Sequence, residues 1–225
     1  SFRTSMRGDA VQVEEPHRRL AQKLVSILMK RISYQDRRFV ISIAGESGSG
    51  KSETAVALDT ALSADGVSSI VLQQDDYFVF PPKSNDKRRR AKVSWVGPQE
   101  VKMDLLSSHL RAFKSFEKFV DKPLVNYQLD KIMDERYEFG DTQVLLIEGT
   151  YTSLLPEVDI RVFISSTFKE TLNHRQKRNR DPSELDEFSE RVLKIEHEVI
   201  KTHLNLADIL VDPNYDVKLV SGQNC

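Results

Sequence analysis

The apolar positions divide the chain into short continuous runs and longer stretches with helical spacing. Leu20, Leu24, Ile27, Leu28 and Ile32 recur every three or four residues, so residues 16–34 read as an amphipathic helix with His17, Arg18, Arg19, Lys23 and Lys30 largely off its apolar face. Residues 40–44 form a short β-branched run, the mark of a buried strand, and Ala55, Leu58 and Leu62 then return to helical spacing. A second strand is expected at 69–73, and residues 81–96 read as an irregular loop. Pro98 opens a helix carried by Met103, Leu106, Leu110, Phe113, Phe116 and Val120 and ended by Pro123. Residues 124–128 and 136–139 read as two short strands around a turn, and 143–147 and 160–164 as buried strands. Residues 166–180 read as a basic helix. Asp181-Pro182-Ser183-Glu184 then starts a helix whose Leu185, Phe188, Val192, Ile195 and Val199 face the core. A last strand is expected at 208–211. Five short apolar strands separated by helices imply an α/β fold: a parallel sheet covered on both faces.

Composition sharpens this in only a few respects. A chain of 225 residues, 39% hydrophobic and 30% charged, suits one globular domain. The expected division is a disordered segment at 1–15 and a single domain over 16–225. That domain contains the helix at 16–34, an acceptor-binding insertion at 79–142 and a lid at 166–183. The formal net charge of −1 argues against a general polyanion binder. No apolar run approaches the ~20 residues that cross a bilayer, and no signal-peptide pattern is evident, so a cytoplasmic protein without a membrane partner is expected. The single cysteine, Cys225, precludes an internal disulfide.

The chemistry centres on residues 45–52, Gly-Glu-Ser-Gly-Ser-Gly-Lys-Ser, which fit G-x-x-x-x-G-K-[ST] without a mismatch. They lie between a strand and a helix, the setting in which this pattern cradles phosphate. Gly45, Glu46, Ser47, Gly48, Ser49 and Gly50 would present successive backbone N–H groups to the phosphates of ATP. The following helix adds its positive end. Lys51 would reach the β- and γ-phosphates, and the Ser52 hydroxyl would meet Mg²⁺. The guanine-reading pattern Asn-Lys-x-Asp is absent. A kinase also needs a carboxylate for the acceptor's proton and cations for the transferring group. Asp75 or Asp76, at the end of the second strand, and Glu148, at the end of a neighbouring one, are the candidate carboxylates. Arg175, Arg178 and Arg180 are the candidate cations.

With these residues in order, the chain resembles the P-loop small-molecule kinases related to uridine kinase, phosphoribulokinase and nicotinamide riboside kinase. The likeness covers roughly residues 39–217. It rests on the phosphate loop, on Gln74-Asp75-Asp76-Tyr77-Phe78, on Ile147-Glu148-Gly149 and on Arg175-x-x-Arg178-x-Arg180-Asp181. The resemblance implies a three-layer sandwich around a five-stranded parallel sheet in the order 2-3-1-4-5. It implies Asp75 as general base and Lys51, Arg175 and Arg178 as further catalytic groups. Arg180 joins the ATP site, and Ser52, Asp75 and Glu148 form the metal set. Asp76, Tyr77, Arg89, Trp95, Tyr127 and Glu148 are the expected contacts of a small-molecule acceptor.

The departures concern the acceptor. Trp95 is followed by Val96, Gly97 and Pro98 where uridine kinases carry a ribose-gripping Asp, and Ile132 stands near their base-reading His. Recognition of pyrimidine and ribose is therefore not carried over. The basic run at 87–92 reads either as a solvated face or as a site for an anionic acceptor. The rival readings are a nucleotide-dependent nucleic-acid-binding module and a degenerate kinase that senses nucleotide; nucleic acid is not the expected partner.

Overall fold

The computed structural model describes residues 11–32, 36–167, 170 and 186–220. Helix α1 (Glu15–Ile32) buries Leu20, Leu24, Leu28 and Ile32, as their spacing requires. It also buries His17, which was expected off the apolar face. Of the segment expected to be disordered, residues 1–10 lie outside the described residues, while Val13 packs against the core. There follow β1 (Phe39–Gly45), α2 (Lys51–Ala64), β2 (Ser69–Gln73), α3 (Pro82–Ala91) and α4 (Met103–Lys114). Then come β3 (Phe119–Asn126), β4 (Lys131–Glu138), β5 (Val144–Glu148) and β6 (Ile160–Ile164), followed by α5 (Glu187–Ile200), β7 (Ile209–Val211) and β8 (Val217–Leu219).

The main sheet runs β2-β5-β1-β6-β7-β8. Its first five strands are parallel, and β8 adds antiparallel to β7. The five-stranded expectation is corrected on this point: among the described residues the sheet has six strands. The sequence pattern misses β8 because its Lys218 and Leu219 are exposed and carry no continuous apolar run. All of β1 and β5 is buried, since each lies inside the sheet with a layer packed on both faces. One core joins α1 and α2 to one face through Leu24, Leu28, Leu58 and Leu62. The other packs Tyr77, Leu106, Leu110, Phe113 and Tyr151 on the opposite face.

The region between β2 and β5 departs most from expectation. The loop read at 81–96 is largely the helix α3. Its N-terminus is capped from the β3–β4 turn: Lys83 and Ser84 donate backbone N–H groups to Asp130 Oδ1 at 2.7 and 3.3 Å, and Ser84 Oγ donates to Oδ2 at 2.6 Å. That cap, with Pro82 in the first turn, satisfies donors that the local sequence leaves open. Helix α4 is shorter than expected. It ends at Lys114, and Phe116 takes a left-handed φ of 61°. Pro123 falls inside β3 and not at a helix end, in a two-stranded ribbon where a missing N–H is tolerated. In α5 the fully buried residues are Val192, Leu193, Glu196 and Ile200; of the expected stripe Val192 is buried, Ile195 is half-buried and Val199 is half-buried against the core.

Candidate active site

The parallel register aligns the carboxyl ends of three strands. Glu148 of β5 pairs with Ile43 of β1 on one side and with Gln73 of β2 on the other. Gly45 to Lys51 turns from β1 into α2 directly beside it. Gly50, the residue before α2, has φ 93°, and a Cβ there would lie 2.3 Å from the Tyr215 hydroxyl. Only glycine serves both demands. Tyr215 Oη donates to the Ser49 carbonyl at 3.1 Å, so the turn after β7 clamps the back of the loop. Lys51 Nζ donates to the Glu46 carbonyl at 2.7 Å, which places its ammonium inside the loop's own curve. Among the described residues, Ser49 Oγ and Glu46 Oε2 are buried with no hydrogen-bond partner.

Gln74 joins the second and third strand ends. Its Oε1 accepts from the Tyr151 backbone N–H at 2.8 Å and its Nε2 donates to Thr150 Oγ1 at 3.0 Å. A Cβ on Gly149 would sit 2.3 Å from Gln74 Cβ, so the pairing of Gln74 with Glu148-Gly149 depends on that missing atom. Asp75 follows in the short 3₁₀ turn Gln74–Tyr77, not at the end of an extended strand. The alternation of strand side chains therefore does not distinguish Asp75 from Asp76. Ser52 Oγ donates to Glu148 Oε1 at 2.9 Å. Burial, and secondly the charge of Asp75, push the Glu148 carboxyl up to about 7. The half-buried Ser52 hydroxyl and the buried Glu148 carboxylate, with a second carboxylate and Lys51 nearby, form an all-oxygen donor set that suits a hard divalent cation. Among the described residues, no group of three or more His, Cys, Asp or Glu side chains gathers to hold a metal ion. A cation at Ser52 and Glu148 would therefore share its shell with phosphate oxygens and water.

The expected acceptor contacts divide. Asp76 accepts from Val125 N–H at 3.1 Å and pairs with buried Lys122 at 3.1 Å, so both its oxygens hold the β3–β4 ribbon. Tyr77 is fully buried, and its hydroxyl meets His109 Nδ1 at 2.7 Å. The 3₁₀ turn points it inward, into the core. Arg89 bonds Glu100 and pairs with Glu196 at 3.6 Å, which makes it a tie inside the fold. Trp95 donates to Asn85 Oδ1 at 2.8 Å and packs against Phe80. Tyr127 lies under Lys83 Nζ, 5.7 Å from the ring centroid. Arg175, Arg178 and Arg180, with most of the lid expected at 166–183, lie outside the described residues.

Three further residues lay outside the sequence reading. Glu196 accepts from Ser47 Oγ at 3.4 Å while it faces Arg89, and His197 bonds the Glu46 side chain. One end of α5 thus braces the phosphate loop and links it to α3. The one available signal was a buried-phase Glu in an amphipathic helix, which the apolar positions alone mask. Tyr151, two residues past Gly149, is buried, and among the described residues its hydroxyl has no hydrogen-bond partner.

Comparison with known proteins bears on this geometry. The model of the phosphoribulokinase / uridine kinase family matches residues 40–184. A bifunctional alpha-galactosidase/sucrose kinase from Mediterraneibacter gnavus is 31% identical over 188 residues, which is 78% of this chain and 20% of that protein. A uridine kinase from Ureaplasma parvum serovar 3 is 27% identical over 140 residues, covering 60% of this chain and 66% of the relative. The chain thus spans under two thirds of either relative's length. The structure of a D-glycerate 3-kinase from Cryptococcus neoformans superposes with a TM-score of 0.61 at 13% identity, over 92% of this chain and 100% of that one. At that identity the likeness concerns the fold.

Proposed function

This chain belongs to the phosphoribulokinase / uridine kinase family, and on that premise we propose that it transfers the γ-phosphoryl group of ATP to a hydroxyl of a small metabolite. The observation that carries the reading is the junction of Ser52, Glu148 and Asp75 at the mouth of the phosphate loop, locked by Gln74 against Gly149. In this reading the loop's N–H groups and Lys51 hold the phosphates and keep their charge in place as the bond to the leaving oxygen lengthens. Asp75 accepts the acceptor's hydroxyl proton on a carboxylate oxygen. Ser52 and Glu148, with Asp75 beside them, are the residues that would hold Mg²⁺, which when bound spreads the charge of the phosphates. Arg175, Arg178 and Arg180 would close over the transferring group.

The relatives' printed activities fit a small hydroxyl acceptor, since one is a sucrose kinase and another a uridine kinase. A nucleic-acid module loses support, because Arg89 and Arg90 of the basic run are spent on Glu100, Glu196, Asp86 and Asp186. The test is transfer of labelled γ-phosphate from ATP in the presence of Mg²⁺ to a panel of sugars, polyols, sugar acids and nucleosides. Acceptor-dependent product supports the reading, and ATP binding without transfer to any acceptor contradicts it. Uridine and cytidine are expected to be poor acceptors, since Val96 is buried and apolar and Ile132 cannot read a base edge.

A further inference from the structure

Resting on the kinase reading above, we propose that the acceptor is an uncharged polyhydroxylated compound, sugar-like in chemistry, and that acceptors already bearing a carboxylate or phosphate are rejected. The reason lies in how charge is shared on the acceptor side. Arg89 stands between Glu100 and Glu196. Lys122 stands between Asp76 and Glu135. Asp75 and Glu148 add negative charge at the phosphate-loop mouth. Among the described residues, each of these two cations is thus divided between two carboxylates. Two arginines of the basic run, Arg89 and Arg90, are likewise held by carboxylates, while Lys87, Arg88 and Lys92 lie on its exposed side. Arg90 pairs with Asp86 at 2.8 Å and Asp186 at 2.9 Å, and Arg88 lies over the Trp95 ring at 5.7 Å.

An anionic acceptor reaching Arg89 would have to displace one of its carboxylates. Glu100 is 0% exposed, and it also accepts from Gly97 N–H at 2.7 Å and Asn85 Nδ2 at 2.8 Å. Stranding such a group is costly. A hydroxyl, by contrast, donates to carboxylates and accepts from guanidinium in one place. A second observation points to the same ligand. The Tyr151 hydroxyl is buried, with the residue 2% exposed, and among the described residues it has no hydrogen-bond partner. Its electrostatic neighbours are Glu196, Glu100 and Arg89. A buried hydroxyl in that company lacks one small, uncharged hydrogen-bonding partner.

The experiment compares matched acceptors on one skeleton (glucose, gluconate and glucose 6-phosphate, with sorbitol and sucrose as further neutral members) by ADP release. The expected result is a kcat/KM at least about tenfold higher for the best neutral compound than for any anionic one. Glu196→Gln should narrow that ratio, and Tyr151→Phe should raise the KM for the neutral acceptor while the KM for ATP holds. Equal or reversed preference overturns the inference and leaves the kinase reading standing. Calorimetric binding of the same compounds, with a non-hydrolysable ATP analogue present, reads the site without turnover. Neutral ligands alone binding supports the inference; anionic ligands binding, or none of the panel binding, overturns it. Failure of ATP transfer with neutral ligands still bound would contradict the kinase reading alone.

Discussion

The phosphate-loop side and the acceptor side of the molecule are built on opposite principles. On the first, the framework is the parallel sheet: β1 and β5 are entirely buried, the loop joins consecutive elements, and Glu148 arrives by strand register, with side chains of α5 and Tyr215 bracing the loop from outside. On the second, α3, α4 and the β3–β4 ribbon are held by side chains that reach across the chain. Asp130 caps α3, Lys122 ties the ribbon to Asp76, and Arg89 ties α3 to Glu100 and to α5. A hydrophobic sheet sets where the loop starts and ends, and a few polar braces then hold its curve. A site that must distinguish acceptors is assembled from polar ties whose partners are costly to strand.

The comparison can be broken most severely at Lys51. Lys51→Ala should lower kcat by roughly 10³-fold or more, with ATP binding weakened, because it removes the charge aimed at the phosphates. Retention of full turnover would mean that the loop does not serve phosphoryl transfer. Next in size is the contrast between adjacent carboxylates. Asp75→Asn should cut kcat by about 10²–10⁴-fold with ATP still bound. Asp76→Asn should act mainly on stability, since it releases Lys122 and the Val125 N–H. If the two kcat effects were reversed, the base would be Asp76.

A third test stays within the basic helix. Arg89→Ala leaves Glu100 and Glu196 without their shared cation and should destabilise the fold by about 3 kcal/mol. Arg88→Ala, at an exposed position, should cost no more than about 0.5 kcal/mol. Urea denaturation of both variants reads the difference, and equal costs would return the basic run to a solvated face. The smallest expected effect joins the two sides: Gly149→Ala should cost about 1–3 kcal/mol by forcing Gln74 away, and should lower kcat as Asp75 shifts with it. An unchanged kcat would show that Gln74 does not position the base.

Local pattern determined the parallel core, the phosphate loop and the pairing of an Asp at one strand end with a Glu at the next. A buried strand and a glycine-rich turn are specified by residues adjacent in the chain, so β1, β2, β5 and β6 could be placed within a residue or two. Only the tertiary structure decided the rest. α3 is a helix because Asp130, nearly fifty residues away, caps it, and nothing in its own polar sequence reports that. Arg89, Asp76 and Tyr77 have the residue types of a ligand site, yet their partners Glu100, Glu196, Lys122 and His109 come from elements packed against them after folding. Glu196 and His197 reach the phosphate loop from a helix some 150 residues downstream. Hydrophobic periodicity reports which face of an element is buried, whereas the destination of a buried charge depends on which other element brings its counter-charge.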